Sequence, residues 1–312
     1  MTALICGSFA YDRIMVYPGR FKEAILPDKI HMLNLSFVVP DMQHEFGGSG
    51  GNIVYNVKLL GADCLPMGTV GIDFAEYRQW LEQNGIDQRH LRVIENTYTA
   101  QCFITTDLDN NQINTFQVGA MAHSHENRVS MAEGVSIGIV APDGKEGMLQ
   151  HALQFAERNI PFIFDPGQNV TMLTGDELLD SINHATWLVF NDYEWQVIED
   201  KTGLNTSTVL DRVDTLIVTR GASGSIIHTR ARTIDIPAAG AEREADPTGC
   251  GDAYRAGLLY GLMHGMDWET TGRIASLMGK IKIEVRGTQN HRFDEQEFAD
   301  LFKYHFGYSV RL

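Results

Sequence analysis

The chain has 312 residues, a length that suits one large α/β domain with a small addition better than two full domains. Its 25 basic and 40 acidic side chains give a formal net charge of −15, which disfavours binding to nucleic acid or to an anionic membrane surface. The four cysteines lie far apart without a C-x-x-C pair, so neither a zinc site nor a disulfide framework is expected. Because the sequence contains no secretory leader and no apolar run of membrane length, we predict a cytoplasmic protein.

The apolar run at residues 3–7 predicts a first buried strand. Two β-rich patches, at about 12–46 and 98–119, predict a small sheet that stands apart from the main body as a lid. Within these patches strands are expected at residues 14–17, 33–39, 99–106 and 112–118, with a hairpin turn at 107–111.

The rest of the chain alternates short β-branched or aromatic runs with helical segments, a pattern typical of a mostly parallel sheet covered on both faces. Strands are expected at residues 136–141, 162–165, 187–191 and 216–219. Helices are expected at 53–60, 76–84, 146–159, 176–183 and 193–201, after 252, and at 271–283 and 295–304. The runs 225–228 and 233–236 predict an antiparallel hairpin near the edge of the sheet.

Polar residues follow several of these strands. Asp165, Asn191 and Thr219 each end a predicted strand. Since ligands bind beyond the carboxyl ends of the strands in such a sheet, we expect these residues to share one edge with Asp252. The sequence therefore predicts a binding site at this edge.

The motif at residues 246–252, Asp-Pro-Thr-Gly-Cys-Gly-Asp, is the strongest functional signal in the chain. A turn with two glycines that opens an apolar helix offers free backbone N–H groups at the positive end of the helix dipole, a typical anion site. Asp252 lies at the rim of this site, where a carboxylate repels a bound phosphate. The conflict is resolved if Asp252 takes a proton from a hydroxyl that attacks a phosphoryl group, which predicts a phosphotransferase.

The glycine-rich segment at residues 47–52 precedes an apolar helix. Its glycines allow the backbone to approach a ligand closely, and Asn52 together with Asp12 can bind hydroxyl groups. A flexible turn is the alternative interpretation. The segment is not a dinucleotide fingerprint, and no G-x-x-x-x-G-K-[ST] phosphate loop occurs in the chain.

Three further loops carry weaker signals. Glu194, at the start of a helix, can hold Mg²⁺ through water or can simply complement the helix dipole. The loop at 219–224 can seat nucleotide phosphates with Arg220, although a plain hairpin loop explains it equally well. Gln168 and Asn169 suit hydrogen bonding to a base, or they belong to an ordinary strand-to-helix turn.

With these motifs in place, the chain resembles the ribokinase-like (PfkB) family of sugar and nucleoside kinases along nearly its whole length. Within that family it is most similar to the bacterial adenosine kinases of the actinobacterial type. The motif at 246–252 is highly specific for the family. The matching stretches are Gly7-Ser8 with Asp12, and residues 18–21, 35–37, 68–77, 119–121, 191–195, 246–256 and 287–289.

The resemblance implies one ribokinase-like domain over residues 1–312, with a three-layer α/β/α body, a mostly parallel sheet and a small β-sheet lid. It also implies ATP as the donor and Mg²⁺ as the metal. Asp252 would deprotonate the 5′-hydroxyl of a nucleoside, and the anion hole for the transferring phosphoryl group would consist of Gly249, Cys250 and Gly251.

The resemblance assigns the remaining site residues by position. The ribose hydroxyls would be held by Asp12, Gly48 and Asn52. The nucleoside pocket would be lined by Ser8, Ser36, Gln168 and Asn169. ATP would contact Asn191, Thr219 and Gly221, and Glu194 would organise Mg²⁺.

One departure concerns the pocket for the base. Related kinases place aromatic residues at about Cys102 and at Phe116, which together sandwich the base. Here the neighbouring aromatic is Phe103, and a shift of one residue in a strand moves a side chain to the other face. Either the alignment is shifted by one residue, or one stacking wall is missing.

Taken together, these observations predict an ATP-dependent adenosine kinase that forms AMP, as in purine salvage. The alternatives are a kinase for ribose or a related sugar, and a nucleoside-binding sensor that has lost catalysis. The expected partners are small molecules, with no nucleic acid and no membrane. An exposed small β-sheet can pair with a second copy, so a homodimer through the lid is also predicted.

Overall fold

The computed structural model describes residues 1–25, 35–109 and 111–312. Short apolar or β-branched runs form most of its strands. Within the described residues the strands are, in chain order, β1 (Thr2–Cys6), β2 (Ala10–Val16), β3 (Met42–Gly47), β4 (Asp63–Val70), β5 (His90–Val93), β6 (Ala100–Thr106), β7 (Gln112–Gln117), β8 (Val135–Val140), β9 (Phe162–Phe164), β10 (Trp187–Asn191), β11 (Thr215–Thr219), β12 (Ser225–Thr229) and β13 (Thr233–Ile236).

Five of the helices begin at a residue whose side chain caps the first turn. Capping boxes start four of them, with Asn191 and Glu194 as one of the pairs. The helices of the described residues are α1 (Phe21–Ala24), α2 (Ser49–Leu59), α3 (Ala75–Gln83), α4 (Lys145–Glu157), α5 (Gly175–His184), α6 (Asp192–Thr202), α7 (Thr206–Val209), α8 (Cys250–Met263), α9 (Trp268–Ile283) and α10 (Glu295–Phe306). None of the helices in this part of the chain combines the length and apolar character needed to cross a lipid bilayer.

The large sheet has the strand order β13-β12-β11-β10-β9-β8-β1-β4-β5. Its pairs are parallel from β11 to β5, and the predicted antiparallel hairpin β12–β13 closes one edge. Alternate residues of β1 enter two separate cores: Ala3 and Ile5 pack with α2, α8 and α9, whereas Leu4 and Cys6 pack with α4 and α5. This burial on both faces confirms the predicted three-layer α/β body.

The small sheet has the order β3-β2-β6-β7. Its pairs β2–β3 and β6–β7 are antiparallel, and β2 and β6 run parallel. The predicted strand at 33–39 is wrong: residues 35–39 form no strand, and 33–34 lie outside the described residues. Phe37 instead packs its ring 4.8 Å from that of Tyr17 and 5.0 Å from that of Phe21, and the second strand is β3.

Two strands of the large sheet, β4 and β5, were not predicted from the sequence. Pro66 and Gly68 within β4 are typical of a turn. The sheet accepts Pro66 because the Met67 carbonyl oxygen is directed to β1, where it accepts from the Gly7 N–H. The missing N–H of Pro66 therefore faces β5, whose pairing begins only at Met67, so no ladder bond is lost.

The helices α8 and α9 pack closely because small residues meet between them. A Cβ at Gly257 would lie 2.5 Å from Cα of Ala275, whereas a Cβ at Gly279 would meet nothing nearer than the Cys250 carbonyl oxygen at 3.8 Å. We expect Gly257→Ala to reduce the free energy of unfolding by about 1–3 kcal/mol, because the helices must move apart. Urea denaturation measures this loss.

Gly279→Ala is the matched control for this packing prediction. It makes the same chemical change in the partner helix where space exists, and it should be neutral or stabilise the protein by up to about 1 kcal/mol. Equal effects of the two substitutions would contradict the packing argument.

Candidate active site

The carboxyl ends of β9, β10 and β11 are neighbours, and they bring Asp165, Asn191 and Thr219 to one edge of the sheet, as predicted. Arg255 from the second turn of α8 anchors this edge. Its Nε donates to Oδ2 of Asp165 at 2.8 Å and its Nη2 donates to Oδ1 at 3.0 Å, and both side chains are buried. A buried bidentate pair of this kind fixes the N terminus of α8 against the strand ends.

The N terminus of α8 is an open backbone cradle. Gly249 precedes the helix with φ of 80°, a conformation that favours glycine. The Cys250 N–H donates to the Pro247 carbonyl oxygen, but the N–H groups of Gly251 and Asp252 have no protein acceptor within the described residues. Burial raises the pKa of the Cys250 thiol to about 11, so this side chain stays protonated. The cradle can therefore bind an anion through N–H groups and the helix dipole.

Asp252 is held by a chain of hydrogen bonds from α2. Nδ2 of Asn52 donates to Oδ2 of Asp252 at 2.8 Å, and Oδ1 of Asn52 accepts from Nε2 of Gln289 at 3.1 Å. Nε2 of Gln289 also donates to the Tyr77 hydroxyl oxygen at 2.6 Å. The Asn52 amide is therefore oriented with its donor toward the carboxylate.

Burial raises the pKa of Asp252 to about 7, although the Asn52 hydrogen bond and the charge of Arg255 favour the ionised form. A carboxylate with a pKa near neutrality is half ionised at physiological pH and is basic enough to accept a proton from a positioned hydroxyl. Asp252 also stands in the first turn of α8, next to the open cradle. The arrangement can combine proton removal with anion binding.

Asp12 lies in the middle of β2, whereas the first strand, β1, ends at Cys6. Burial raises the pKa of Asp12 to about 6, and the carboxylates of Asp246 and Glu45 act in the same direction. A Cβ at Gly47 would lie 2.7 Å from Oδ2 of Asp12, so glycine leaves space for this carboxyl group. Asp12 therefore remains available to bind a hydroxyl.

Gly48 and Ser8 form the junction between β1 and α2. Gly48 has φ of 85°, and a Cβ there would lie 2.5 Å from the Ser8 carbonyl oxygen. Oγ of Ser8 accepts from the Ser49 N–H at 3.1 Å, and the Ser8 carbonyl oxygen accepts from the Gly51 N–H at 3.2 Å. The junction places the start of α2, and hence Asn52, beside α8.

The register of the small sheet determines which face of the sheet each aromatic side chain occupies. Asp12 pairs with Cys102, and Cys102 pairs with Phe116, so these three side chains share one face. Phe103 pairs with Thr115 and lies on the opposite face. The aromatic wall formed by Phe116 therefore has a cysteine, not a second aromatic residue, beside it.

A cavity of about 400 Å³ borders the α8 N terminus. It lies between the loop that joins β11 to β12 and the helix α9. It is mostly apolar near Tyr254 and Ile283, and it reaches the backbone of the cradle. Its lining includes Thr219, Gly221, Cys250, Gly251 and Arg255. A cavity of this size suits a nucleotide whose phosphates lie on the cradle.

The remaining predicted residues are engaged differently. Ser36 and Gln168 are exposed, and no contact within the described residues joins them to the cradle. Nδ2 of Asn169 donates to the Asp143 carbonyl oxygen at 2.9 Å, which leaves its Oδ1 for a ligand. Arg220 donates to Asp235 and to the Ser223 carbonyl oxygen, so its charge belongs to the hairpin.

Glu194 and Asn191 form a capping box at the start of α6. The Glu194 N–H donates to Oδ1 of Asn191 at 2.7 Å, and Oε2 of Glu194 accepts from the Asn191 N–H at 2.8 Å. Oε2 also lies 4.0 Å from Nη2 of Arg255. Burial and the nearby Asp165 raise the pKa of Glu194, and only Oε1 remains free of these contacts.

Sequence reasoning missed Arg255 as the anchor of this site and did not assign Gln289 a role. Arg255 is the single charge in the apolar run after Asp252. This was the available signal, because a charge buried with such a run needs a partner. Gln289 stood in a stretch that matched the family, but its bonds to Asn52 and Tyr77 depend on the tertiary structure.

Comparison with known proteins gives matches along nearly the whole chain. The pfkB family of carbohydrate kinases matches residues 8–295. This chain belongs to the pfkB family. The structure of a nucleoside kinase from Burkholderia thailandensis in complex with inosine is 48% identical, with a TM-score of 0.90 over 99% of this chain and 100% of that chain.

Two further relatives agree with this family membership. The complex of the Burkholderia thailandensis nucleoside kinase with ADP and inosine is 49% identical, with a TM-score of 0.88 over 99% of this chain and 97% of that chain. A nucleoside kinase from Methanocaldococcus jannaschii is 33% identical over 260 residues, which are 83% of this chain and 85% of that protein. The family predicted from the sequence is thereby confirmed.

As a pfkB kinase, the chain is a phosphotransferase that acts on a hydroxyl group, which confirms the predicted enzyme class. Its relatives are nucleoside and sugar kinases, and ribokinase-like kinases use ATP with Mg²⁺. These findings agree with a site that has a buried carboxyl group of raised pKa beside open backbone N–H groups and a nucleotide-sized cavity next to them.

The raised pKa of Asp252 predicts the pH dependence of this pfkB kinase. If the ionised carboxylate accepts the proton, kcat/KM should fall about tenfold per pH unit below about pH 7 and level off above it. Initial rates from pH 5 to pH 9 with saturating ATP measure the profile.

Asp12, with a pKa of about 6, is the neighbouring carboxyl group that could also shape the profile. Asp12→Asn should retain the inflection near pH 7 even if it raises KM. A profile that stays flat down to pH 5, or an inflection that disappears in Asp12→Asn, would contradict the assignment to Asp252.

Proposed function

We propose that this pfkB kinase transfers the γ-phosphoryl group of ATP to the 5′-hydroxyl of a purine nucleoside, with adenosine as the acceptor predicted from the sequence. The observation that carries the proposal is the position of Asp252. Its carboxylate stands between the open cradle of α8 and the Asn52 amide. The inosine bound by the similar Burkholderia thailandensis kinase supports a nucleoside acceptor.

On the acceptor side, the proposed binding groups for the ribose hydroxyls are Asp12, the backbone at Gly48, and Asn52. The amide of Asn52 has its donor on Asp252, so it holds the carboxylate in place as well as bordering the ribose. A 5′-hydroxyl directed at Asp252 would lose its proton to the carboxylate as its oxygen attacks the phosphorus. Holding both reactants in this geometry replaces a bimolecular encounter with an intramolecular step.

On the donor side, the free N–H groups of Gly251 and Asp252 would bind the oxygens of the transferring phosphoryl group, with Gly249 and Cys250 completing the hole. Phosphoryl transfer needs mainly positioning and charge stabilisation, which oriented N–H groups provide without rearrangement. The nucleotide itself would occupy the cavity bordered by Thr219 and Gly221, with Asn191 near its phosphates.

Mg²⁺ fits this site only as a hydrated ion. Within the described residues no group of three or more His, Cys, Asp or Glu side chains could form a metal cage. Mg²⁺ usually keeps several waters and takes one or two carboxylates plus phosphate oxygens, so Oε1 of Glu194 suits a contact through water. When bound, Mg²⁺ supplies neutralisation of phosphate charge.

Asp252→Asn tests the proposed base. The amide cannot accept the proton, so kcat should fall by about 10³- to 10⁴-fold while the Kd of adenosine changes little. Turnover by coupled assay and nucleoside binding by calorimetry measure the two quantities. Near-normal turnover in a folded variant would remove Asp252 as the base.

A panel of acceptors separates the proposed substrate from its rivals. ATP consumption with adenosine, inosine, ribose and fructose phosphates should be highest with the two nucleosides. A preference for ribose would identify a sugar kinase instead. Tight nucleoside binding without any ATP consumption would identify a sensor.

Phe116 is the proposed stacking surface for the base, and Phe103 provides a matched control on the other face of the same sheet. Phe116→Ala should weaken adenosine binding by about 1–2 kcal/mol, or about 5- to 30-fold in Kd. Phe103→Ala removes an equal ring and should leave the Kd unchanged. Equal effects of the two substitutions would contradict the proposed orientation of the lid face.

Self-association through the lid remains a prediction. The strand β7 forms one edge of the small sheet, and all six of its residues are exposed. Ile113 and Phe116 are the large apolar residues on this strand, and an exposed edge of this kind can pair with a second copy.

A further inference from the structure

Lys282 is a fully buried lysine in the last turn of α9, with no exposed surface. Its Nζ donates to the Asp246 carbonyl oxygen at 2.8 Å and to the Val285 carbonyl oxygen at 3.1 Å, and lies 4.0 Å from Oδ2 of Asp246. Lysine is almost never fully buried without a partner, because removing an ammonium from water is costly. The position of this charge therefore calls for an explanation beyond helix capping.

The loop that Lys282 contacts is the one that forms the phosphate cradle. Asp246 begins the motif, and its side chain accepts from the Thr248 N–H at 2.9 Å and from the Gly287 N–H at 3.0 Å. Lys282 donates to the backbone carbonyl oxygen of the same residue, in the loop that leads into α8. The ammonium is therefore hydrogen-bonded to the backbone of the loop that would face a phosphoryl group.

The electrostatic surroundings favour a charged ammonium. Burial lowers the pKa of Lys282 below its usual value, and the carboxylates of Asp246 and Asp252 oppose this shift because they favour the charged ammonium. His291 also faces this lysine, whose charge together with burial holds the His291 pKa down at about 4, so this ring is neutral. Lys282 is therefore a cation among neutral and acidic groups.

A second lysine shows what a purely structural clamp looks like in this chain. Nζ of Lys201 donates to the carbonyl oxygens of Val170, Thr171 and Leu173 at 2.8, 2.9 and 2.7 Å. That side chain reaches its acceptors from the surface. Lys282 also donates to backbone carbonyl oxygens, but its side chain is buried and one of its acceptors lies in the loop of the cradle.

We propose that Lys282 is a built-in cation of the phosphate cradle, which positions the loop at 246–249 and adds positive charge near the α8 N terminus. The inference rests on the phosphotransferase activity and not on the identity of the acceptor. Its physical basis is the negative charge around the cradle. The carboxyl groups of Asp12, Asp246 and Asp252 all lie near the N–H groups that would bind a polyphosphate. A fixed cation offsets this repulsion where negative charge develops.

Lys282 is thus a positioning residue, and the test separates its charge from its hydrogen bonds. Lys282→Gln retains a donor but removes the charge, and kcat should fall about 100-fold while the Kd of adenosine stays within about threefold. Lys282→Arg retains the charge, and its kcat should be at least tenfold higher than that of Lys282→Gln. Lys201→Gln, the matched control, should lower the melting temperature with kcat within about twofold of the wild type.

Chemical rescue provides a readout that a structural role alone would not produce. Lys282→Ala leaves space for a small cation, so ammonium chloride should raise its kcat at least tenfold, whereas tetramethylammonium chloride at equal ionic strength should not. If Lys282→Gln does not fold, Lys282→Met, which suits an apolar setting, replaces it. A folded neutral variant with kcat within threefold of the wild type, or the absence of rescue by ammonium, would overturn the proposal.

Discussion

The hydrogen bond between Asn52 and Asp252 joins two helices that lie 200 positions apart in the chain, and the rest of the site depends on it. Burial makes the Asp252 carboxylate basic, and burial alone would also leave it protonated at neutral pH. The amide donor and the charge of Arg255 limit that rise and fix the carboxylate in direction. The glycines at 47–51 and the junction with β1 bring α2 close enough to α8 for this hydrogen bond to form.

The architecture could largely be predicted because its signals are local. Alternating β-branched runs and capped helices indicated the parallel sheet and its edge hairpin, and the motif at 246–252 indicated the anion site. The strand β4 could not be predicted, since Pro66 is accepted only because β5 starts one residue later. The apolar run near Phe37 resembled a strand, yet its ring is used in a cluster with Tyr17 and Phe21.

The parts of the site that sequence reasoning missed are pairings between distant residues. Arg255 meets Asp165 across 90 positions, and Gln289 meets Asn52 across 237, so no local pattern reports either contact. Glu194 is the opposite case, because its position at the start of a helix can be read from neighbouring residues alone. The structure shows it in the capping box of that helix. Lys282 stands in the last turn of α9, where a cation is common, and only its burial and its carbonyl partners set it apart.

The cysteine beside Phe116 has a consequence for molecular recognition. In the proposed pocket a base stacked on Phe116 gains affinity from that ring, while the neighbouring position on the same face of the sheet offers a small thiol and not a second ring. Selectivity would then come from the sugar, whose hydroxyls need specific polar partners, and much less from the heterocycle. A pocket built in this way would tolerate substituents on the base better than changes to the sugar.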